Sequence, residues 1–173
     1  MHRIVIRTIE PEDIVTLKAA FITRGIDREK DYFERCLEEN KYGEKVTLLA
    51  LHNNQLAGCC QMVSESCYPN FKEQQIPEIN DLIVFPEFRR NGIATRMMDE
   101  LERIAAKHHN TVGLGVGLYK DYSSALKLYI NRGYMPDQQG VTYKNRIVKP
   151  GATVQVDDHL LLYFVRELSS LTV

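Results

Sequence analysis

The chain has no tryptophan, no C-x-x-C pair and no apolar run near the roughly 18 residues that cross a bilayer. It also lacks an excess of charge: 22 Lys and Arg stand against 23 Asp and Glu, a net charge of −1. Proteins that grip polyanions carry a basic surplus, so nucleic acid is not expected as a partner, nor is a membrane. No internal repeat, linker or low-complexity tract interrupts the sequence. Its 173 residues, 44% of them hydrophobic, suit one globular domain over 1–173. The beginning, Met1 to Glu10, has neither the long apolar core nor the small-residue cleavage site of a secretory signal, so a cytoplasmic location is expected. The four cysteines, Cys36, Cys59, Cys60 and Cys67, read as free thiols in a reducing compartment. No metal is expected: His108-His109 complements a helix end, and Asp157-Asp158-His159 reads as a solvated turn.

Periodicity supplies the elements. Arg3–Glu10 alternates like a half-buried strand, and Pro11-Glu12-Asp13 opens a helix that Gly25 ends. A second helix is expected from Arg28 to about Glu39. Val46–Leu51 and Leu56–Val63 form a hairpin across His52–Gln55. Ser64–Pro77 is a long polar connection, and Glu78–Val84 is a strand. The strongest helix follows, with Ala94, Met97, Met98, Leu101, Ile104 and Ala105 on one face. Arg96, Asp99, Glu100, Glu102 and Arg103 fill the other. Thr111–Leu118 is a strand, a short helix runs from Ser123 or Ser124 to Arg132, and Val141–Tyr143 and Leu160–Val165 are strands. Such an order gives an α/β fold, a mixed and partly antiparallel sheet with helices on both faces.

Chemistry concentrates between Phe85 and Arg96. A strand leaves through an Arg-rich loop holding Gly92 and enters the long helix, with a local charge of +2 from three Arg and one Glu. A helix start presents unpaired backbone N–H groups and partial positive charge, and glycine lets a ligand approach closely. This combination suits a pyrophosphate-bearing ligand. Gly113, Gly115 and Gly117 superficially suggest a dinucleotide loop. Glycines two apart in a strand share a face, however, and such a face serves close packing.

Arg89-Arg90-Asn91-Gly92-Ile93-Ala94 resembles the R/Q-x-x-G-x-G/A motif of the GNAT superfamily of acetyl-CoA-dependent N-acetyltransferases. Ala125-Leu126-Lys127-Leu128-Tyr129 through Gly133-Tyr134 resembles its A-x-x-L-Y-x-x-x-G-Y/F pattern. Arg132-Gly133-Tyr134-Met135-Pro136-Asp137-Gln138-Gln139-Gly140 is similar to the tail of a bacterial branch of that family. The resemblance covers nearly the whole chain and implies a single-domain GNAT-like fold with a mostly antiparallel sheet.

What the resemblance implies can be placed residue by residue. The loop amides of Arg90, Asn91, Gly92, Ile93, Ala94 and Thr95 would hold the CoA pyrophosphate, with Arg89 or Arg90 adding charge. The backbone of Leu82, Ile83 and Val84 would carry the pantetheine arm. Many members have Asn where Tyr122 stands, so Ser123 or Ser124 is the candidate replacement contact. The chemistry is attack of a neutral amine on the thioester of acetyl-CoA. An amine of pKa about 10 is neutral in only about one molecule per thousand at pH 7, so a base must take its proton. Glu78, eleven residues before Arg89, stands where some members carry a glutamate base, and Asp81 is its competitor. Tyr129 matches the tyrosine that protonates the departing thiolate.

The acceptor is expected to be a small-molecule amine. Phe21, Arg24, Tyr32, Tyr68 and Phe71 are the candidate lining, with Glu65 and Glu73 in a segment, Ser64–Glu78, of charge −2. A protein or peptide N-acetyltransferase and a non-catalytic acyl-CoA-binding module are the alternatives. Exposed strand edges in such folds make a homodimer the candidate assembly.

Overall fold

A computed structural model describes residues 3–168; the ends of the expected 1–173 domain, residues 1–2 and 169–173, lie outside them. The strands are β1 (Ile4–Thr8), β2 (Lys45–His52), β3 (Gln55–Val63), β4 (Glu78–Val84), β5 (Thr111–Gly117), β6 (Met135–Tyr143), β7 (Arg146–Ile147) and β8 (Leu160–Glu167). The helices are α1 (Asp13–Thr23), α2 (Tyr32–Tyr42), α3 (Pro69–Glu73), α4 (Ile93–Ala105) and α5 (Ser123–Asn131). Among the described residues no helix is long and apolar enough to cross a membrane. The chain divides into two compact units, Met1–Val63 with Asp81–Leu101, and Ser64–Asn80 with Glu102–Val173. The boundary passes through β4.

In the first unit β2 pairs antiparallel with β1 and β3, and β3 neighbours β4. The hairpin between β2 and β3 closes on Asn53 and Asn54, both left-handed, a conformation Asn tolerates better than most residues. α1 and α2 lay Leu17, Phe21, Phe33 and Cys36 onto Leu49, Cys59 and Phe85. Phe21 meets Phe33 and Phe85 edge to face, at centroid distances of 4.9 and 5.9 Å. Asp13, at the start of α1, takes two hydrogen bonds from the Arg7 guanidinium at 2.7 Å each and one from the Glu10 amide at 2.8 Å. The Arg7 contact holds its carboxyl below the usual range.

In the second unit β4 begins parallel to β5, through Glu78–Gly113 and Ile79–Leu114. β5 pairs antiparallel with β8, β8 with β6, and β6 with β7. The core joins Tyr68, Phe71, Ile76 and Tyr163, with the Tyr68 and Tyr163 rings stacked at 3.7 Å. The β5 glycines take their meaning from this packing. A Cβ on Gly113 would lie 2.2 Å from the Phe71 ring, and one on Gly117 would lie 2.3 Å from the Tyr122 ring. The glycine face is a seat for aromatic rings.

Several sequence expectations change. The polar connection after β3 contains α3, whose single turn is too short to show a period. α2 starts at Tyr32 rather than Arg28; the residues before it are irregular, and from them Arg28 reaches Asp81. β6 runs back to Met135, where Pro136, left-handed Gln138 and Gly140 read as turn residues; the strand accommodates them in an irregularity between Pro136 and Val141. Glu102 is the clearest correction. Periodicity puts it on the face of α4 opposite the apolar stripe, yet it is only 8% exposed. It accepts hydrogen bonds from the Arg132 guanidinium, from the Tyr134 hydroxyl at 3.0 Å and from Arg166. Four residues after the buried Met98, it sits at the margin of the apolar stripe.

Candidate active site

The helix-start loop belongs to the first unit. A short 3₁₀ turn, Pro86–Phe88, follows β4, and the backbone is left-handed at Arg90 (φ 63°) and at Gly92 (φ 75°). The Asn91 side-chain amide ties the loop by donating to the carbonyls of Phe88 (3.0 Å) and Arg89 (3.2 Å). Arg89 folds back so that its Nε donates to the Val84 carbonyl at 3.2 Å. α4 starts with the Arg96 amide on the Gly92 carbonyl, 3.1 Å, which leaves the amides of Ile93, Ala94 and Thr95 without an intrahelical acceptor. Ile93 is buried and anchors the turn, whereas Arg89, Arg90, Asn91, Gly92 and Thr95 are exposed. A Cβ built on Gly92 meets nothing within 4 Å, so the space beside that residue is open. A diphosphate suits this arrangement: amide donors without an intrahelical acceptor and the helix dipole lie in one exposed loop with Arg90.

Leu82, Ile83 and Val84, the backbone that precedes the loop, are half-buried. They are fixed against β3 by the Phe85 amide on the Ala57 carbonyl, 2.9 Å. Gly58 makes this possible, because a Cβ there would lie 2.1 Å from the Ile83 carbonyl oxygen. Nothing in the local sequence flags Gly58; only the strand laid beside it does.

Asp81 also lies in the first unit. Its φ is 48°, inside a strand, which breaks the face alternation of β4. Its carboxylate accepts the Tyr32 hydroxyl and, at 3.3 Å, Arg28 Nη2. Gln61 donates onward to Tyr32 Oη at 3.0 Å and to Cys36 Sγ at 3.1 Å. Burial, then the Asp81 charge and hydrogen bond, push the Tyr32 phenol upward. Asp81 is therefore one link of a polar chain, Cys36–Gln61–Tyr32–Asp81–Arg28. Of the other candidate lining in this unit, Phe21 is buried in the core. Arg24 is held by Glu87 and lies 4.0 Å over the Phe85 ring.

Glu78 and Tyr129 lie in the second unit. Glu78 is half-buried, and among the described residues no cation pairs with it; its carboxylate accepts the Ser66 hydroxyl. Burial raises its pKa above the ordinary 4.5, and the Ser66 hydrogen bond works against that rise. Tyr129 is 7% exposed, its ring edge-on to Tyr134 at 5.9 Å. Tyr68 and Phe71 are core residues; Tyr68 donates to Asp137 at 2.7 Å. Ser124 is exposed on the first turn of α5. Tyr122 donates to Asp158 at 2.9 Å. Ser66, Arg28 and Gln61 are the partners that sequence reading did not single out. Each lies far along the chain from the group it serves, so no local pattern marks it.

Comparison with known proteins follows the same lines. The family model described as the acetyltransferase (GNAT) family matches residues 14–134. Comparison with curated proteins finds no match by sequence. Among solved structures, an N-acetyltransferase from Staphylococcus aureus Mu50 is 18% identical with a TM-score of 0.72, over 96% of this chain and 99% of that one. Spermidine N-acetyltransferase from Vibrio cholerae, in complex with CoA and spermine, is 13% identical with a TM-score of 0.68, over 97% of both chains. The Salmonella typhimurium acetyl transferase that modifies the N-terminal serine of ribosomal protein L7/L12 is 10% identical with a TM-score of 0.70, over 96% of this chain and 95% of that one. At such identities the likeness is one of fold. The family match, spanning most of the chain and both of its motifs, makes the protein a member of the GNAT acetyltransferase family, an acyltransferase that uses acetyl-CoA.

Proposed function

We propose that the protein transfers an acetyl group from acetyl-CoA to the primary amine of a small molecule. In this reading the amides of Arg90 to Thr95 hold the diphosphate, with Arg89 and Arg90 adding charge, and the backbone of Leu82 to Val84 carries the pantetheine arm. Ser124 is the candidate further contact. Glu78 takes the proton of the attacking ammonium, and Tyr129 returns a proton to the departing sulfur.

The observation that supports the base assignment is the state of Glu78, a half-buried carboxylate that no cation pairs with among the described residues and whose pKa lies above the ordinary range. A base works best when its pKa approaches the operating pH, and burial moves Glu78 in that direction. Only the ionised form accepts a proton, so activity should rise with pH through a midpoint above 4.5. Asp81 fits the role less well, because Arg28 and Tyr32 already engage its oxygens. A small cationic acceptor suits the Glu78 carboxylate, which no cation pairs with among the described residues. Phe21, Tyr68 and Phe71 support it through packing, since all three are buried. Four free thiols, three of them buried, suit a reducing compartment such as the cytoplasm.

The test is incubation of pure protein with acetyl-CoA and a panel that includes polyamines, aminoglycosides, amino acids and short peptides. Thiol release is expected with a non-peptide amine. Release with peptides alone would assign a protein acceptor. CoA binding by calorimetry with no release for any acceptor would leave a binding module and remove the catalytic roles.

A further inference from the structure

Serine has one hydroxyl proton and can also accept. Ser66 is 1% exposed, so its hydrogen bonds must be made inside the protein. The Tyr68 amide donates to Ser66 Oγ at 3.0 Å, closing a two-residue turn immediately before α3. That contact occupies the acceptor side of the oxygen and leaves the proton for the Glu78 carboxylate, to which Ser66 donates. The turn is fastened in its own right. Tyr68 stacks on Tyr163 at 3.7 Å and donates to Asp137 of β6, and Asn70 donates to the same Asp137 oxygen at 3.2 Å.

We propose that Ser66 is a positioning residue for Glu78: fixed by the Tyr68 amide, it aims its proton at Oε2 and so sets both the orientation and the ionisation of that carboxylate. That this ionisation matters for acetyl transfer rests on the base role proposed above. The other groups around the pair do not substitute for the hydroxyl. β5 presents Gly113 beside Glu78. β8 presents Tyr163, whose phenol is pushed up by burial and by the Glu78 charge, and whose hydroxyl donates to Asn145 at 2.8 Å. Tyr68 is spoken for by Asp137, and Cys67 is exposed. A polar cavity of about 620 Å³ shares Ser66 in its wall with Glu65, Lys72, His108 and His109, and Lys72 is paired with Glu65 at 2.6 Å.

The experiment titrates Glu78 itself and needs no acceptor. Protein carrying ¹³C-carboxyl glutamate is followed by NMR against pH, the Glu78 resonance being identified by its loss in Glu78→Gln. A hydrogen bond to the charged form lowers a pKa, so its removal raises it. In Ser66→Ala the Glu78 midpoint should climb by about one pH unit, a tenfold tighter hold on the proton. In Ser66→Thr, which keeps the hydroxyl, the midpoint should return to that of the native chain. A Ser66→Ala protein that melts as a folded domain with an unmoved Glu78 midpoint overturns the proposal. A moved midpoint together with full acetyl transfer by Glu78→Gln upholds the Ser66 contact and removes the base role instead.

Discussion

β4 carries two carboxylates three residues apart, and the chain treats them in opposite ways. Asp81, in the first unit, sits in a left-handed backbone and spends its oxygens on Arg28 and Tyr32. Glu78, in the second, is half-buried, pairs with Gly113 of β5, takes one hydroxyl from Ser66, and has no cation paired with it among the described residues. The Asp81 oxygens are already engaged by a cation and a phenol. A buried carboxylate held by a single neutral donor is poised to take a proton. The residue type is nearly the same; the surroundings make one a structural anchor and the other a candidate base.

The contrast can be broken by experiment, beginning with its strongest claim. Glu78→Gln keeps the shape and removes the basic oxygen, so kcat with the preferred amine should fall about 10²–10⁴-fold with CoA affinity unchanged. Steady-state kinetics beside calorimetry would show this, and a kcat within threefold of native would end the distinction. Glu102 calibrates the scale for a buried acid whose role is structural. Glu102→Ala removes a buried acceptor shared by Arg132, Tyr134 and Arg166 and should cost about 3 kcal/mol in urea unfolding. Asp81→Asn should be mildest. Asn tolerates the left-handed backbone and keeps one acceptor for Tyr32, and the Arg28 pair is more than a third exposed on the acid side. Stability should change by no more than about 1 kcal/mol and kcat by less than about tenfold. A larger kcat loss here than in Glu78→Gln would exchange the two roles.

Much of this was legible in the sequence. α4 announced itself by the spacing of Met97, Met98 and Leu101, all buried, and the loop before it by Gly92, whose φ of 75° suits glycine. The β2–β3 hairpin followed from two apolar runs on either side of the turn residues His52–Gln55. α3 and the long β6 did not follow, since a single turn has no period and Pro136 with Gly140 imitates a loop. Glu102 was misplaced because its charge outweighed its position beside the apolar stripe.

The sequence by itself determined what depends on neighbours along the chain: the helix start and its open amides, the strand leading into it, and the presence of Glu78, Asp81 and Tyr129 in their elements. Tertiary structure alone decided what depends on neighbours across space. It chose Ser66 for Glu78, Arg28 and Tyr32 for Asp81, and Arg132, Tyr134 and Arg166 for Glu102. It also showed that the bare faces of Gly58 and Gly113 make room for the Ile83 carbonyl and the Phe71 ring. Hydrogen bonds and desolvation act over a few ångströms, and from 12 to 64 residues of chain separate the members of these pairs, so no local pattern encodes which carboxylate will be free to take a proton.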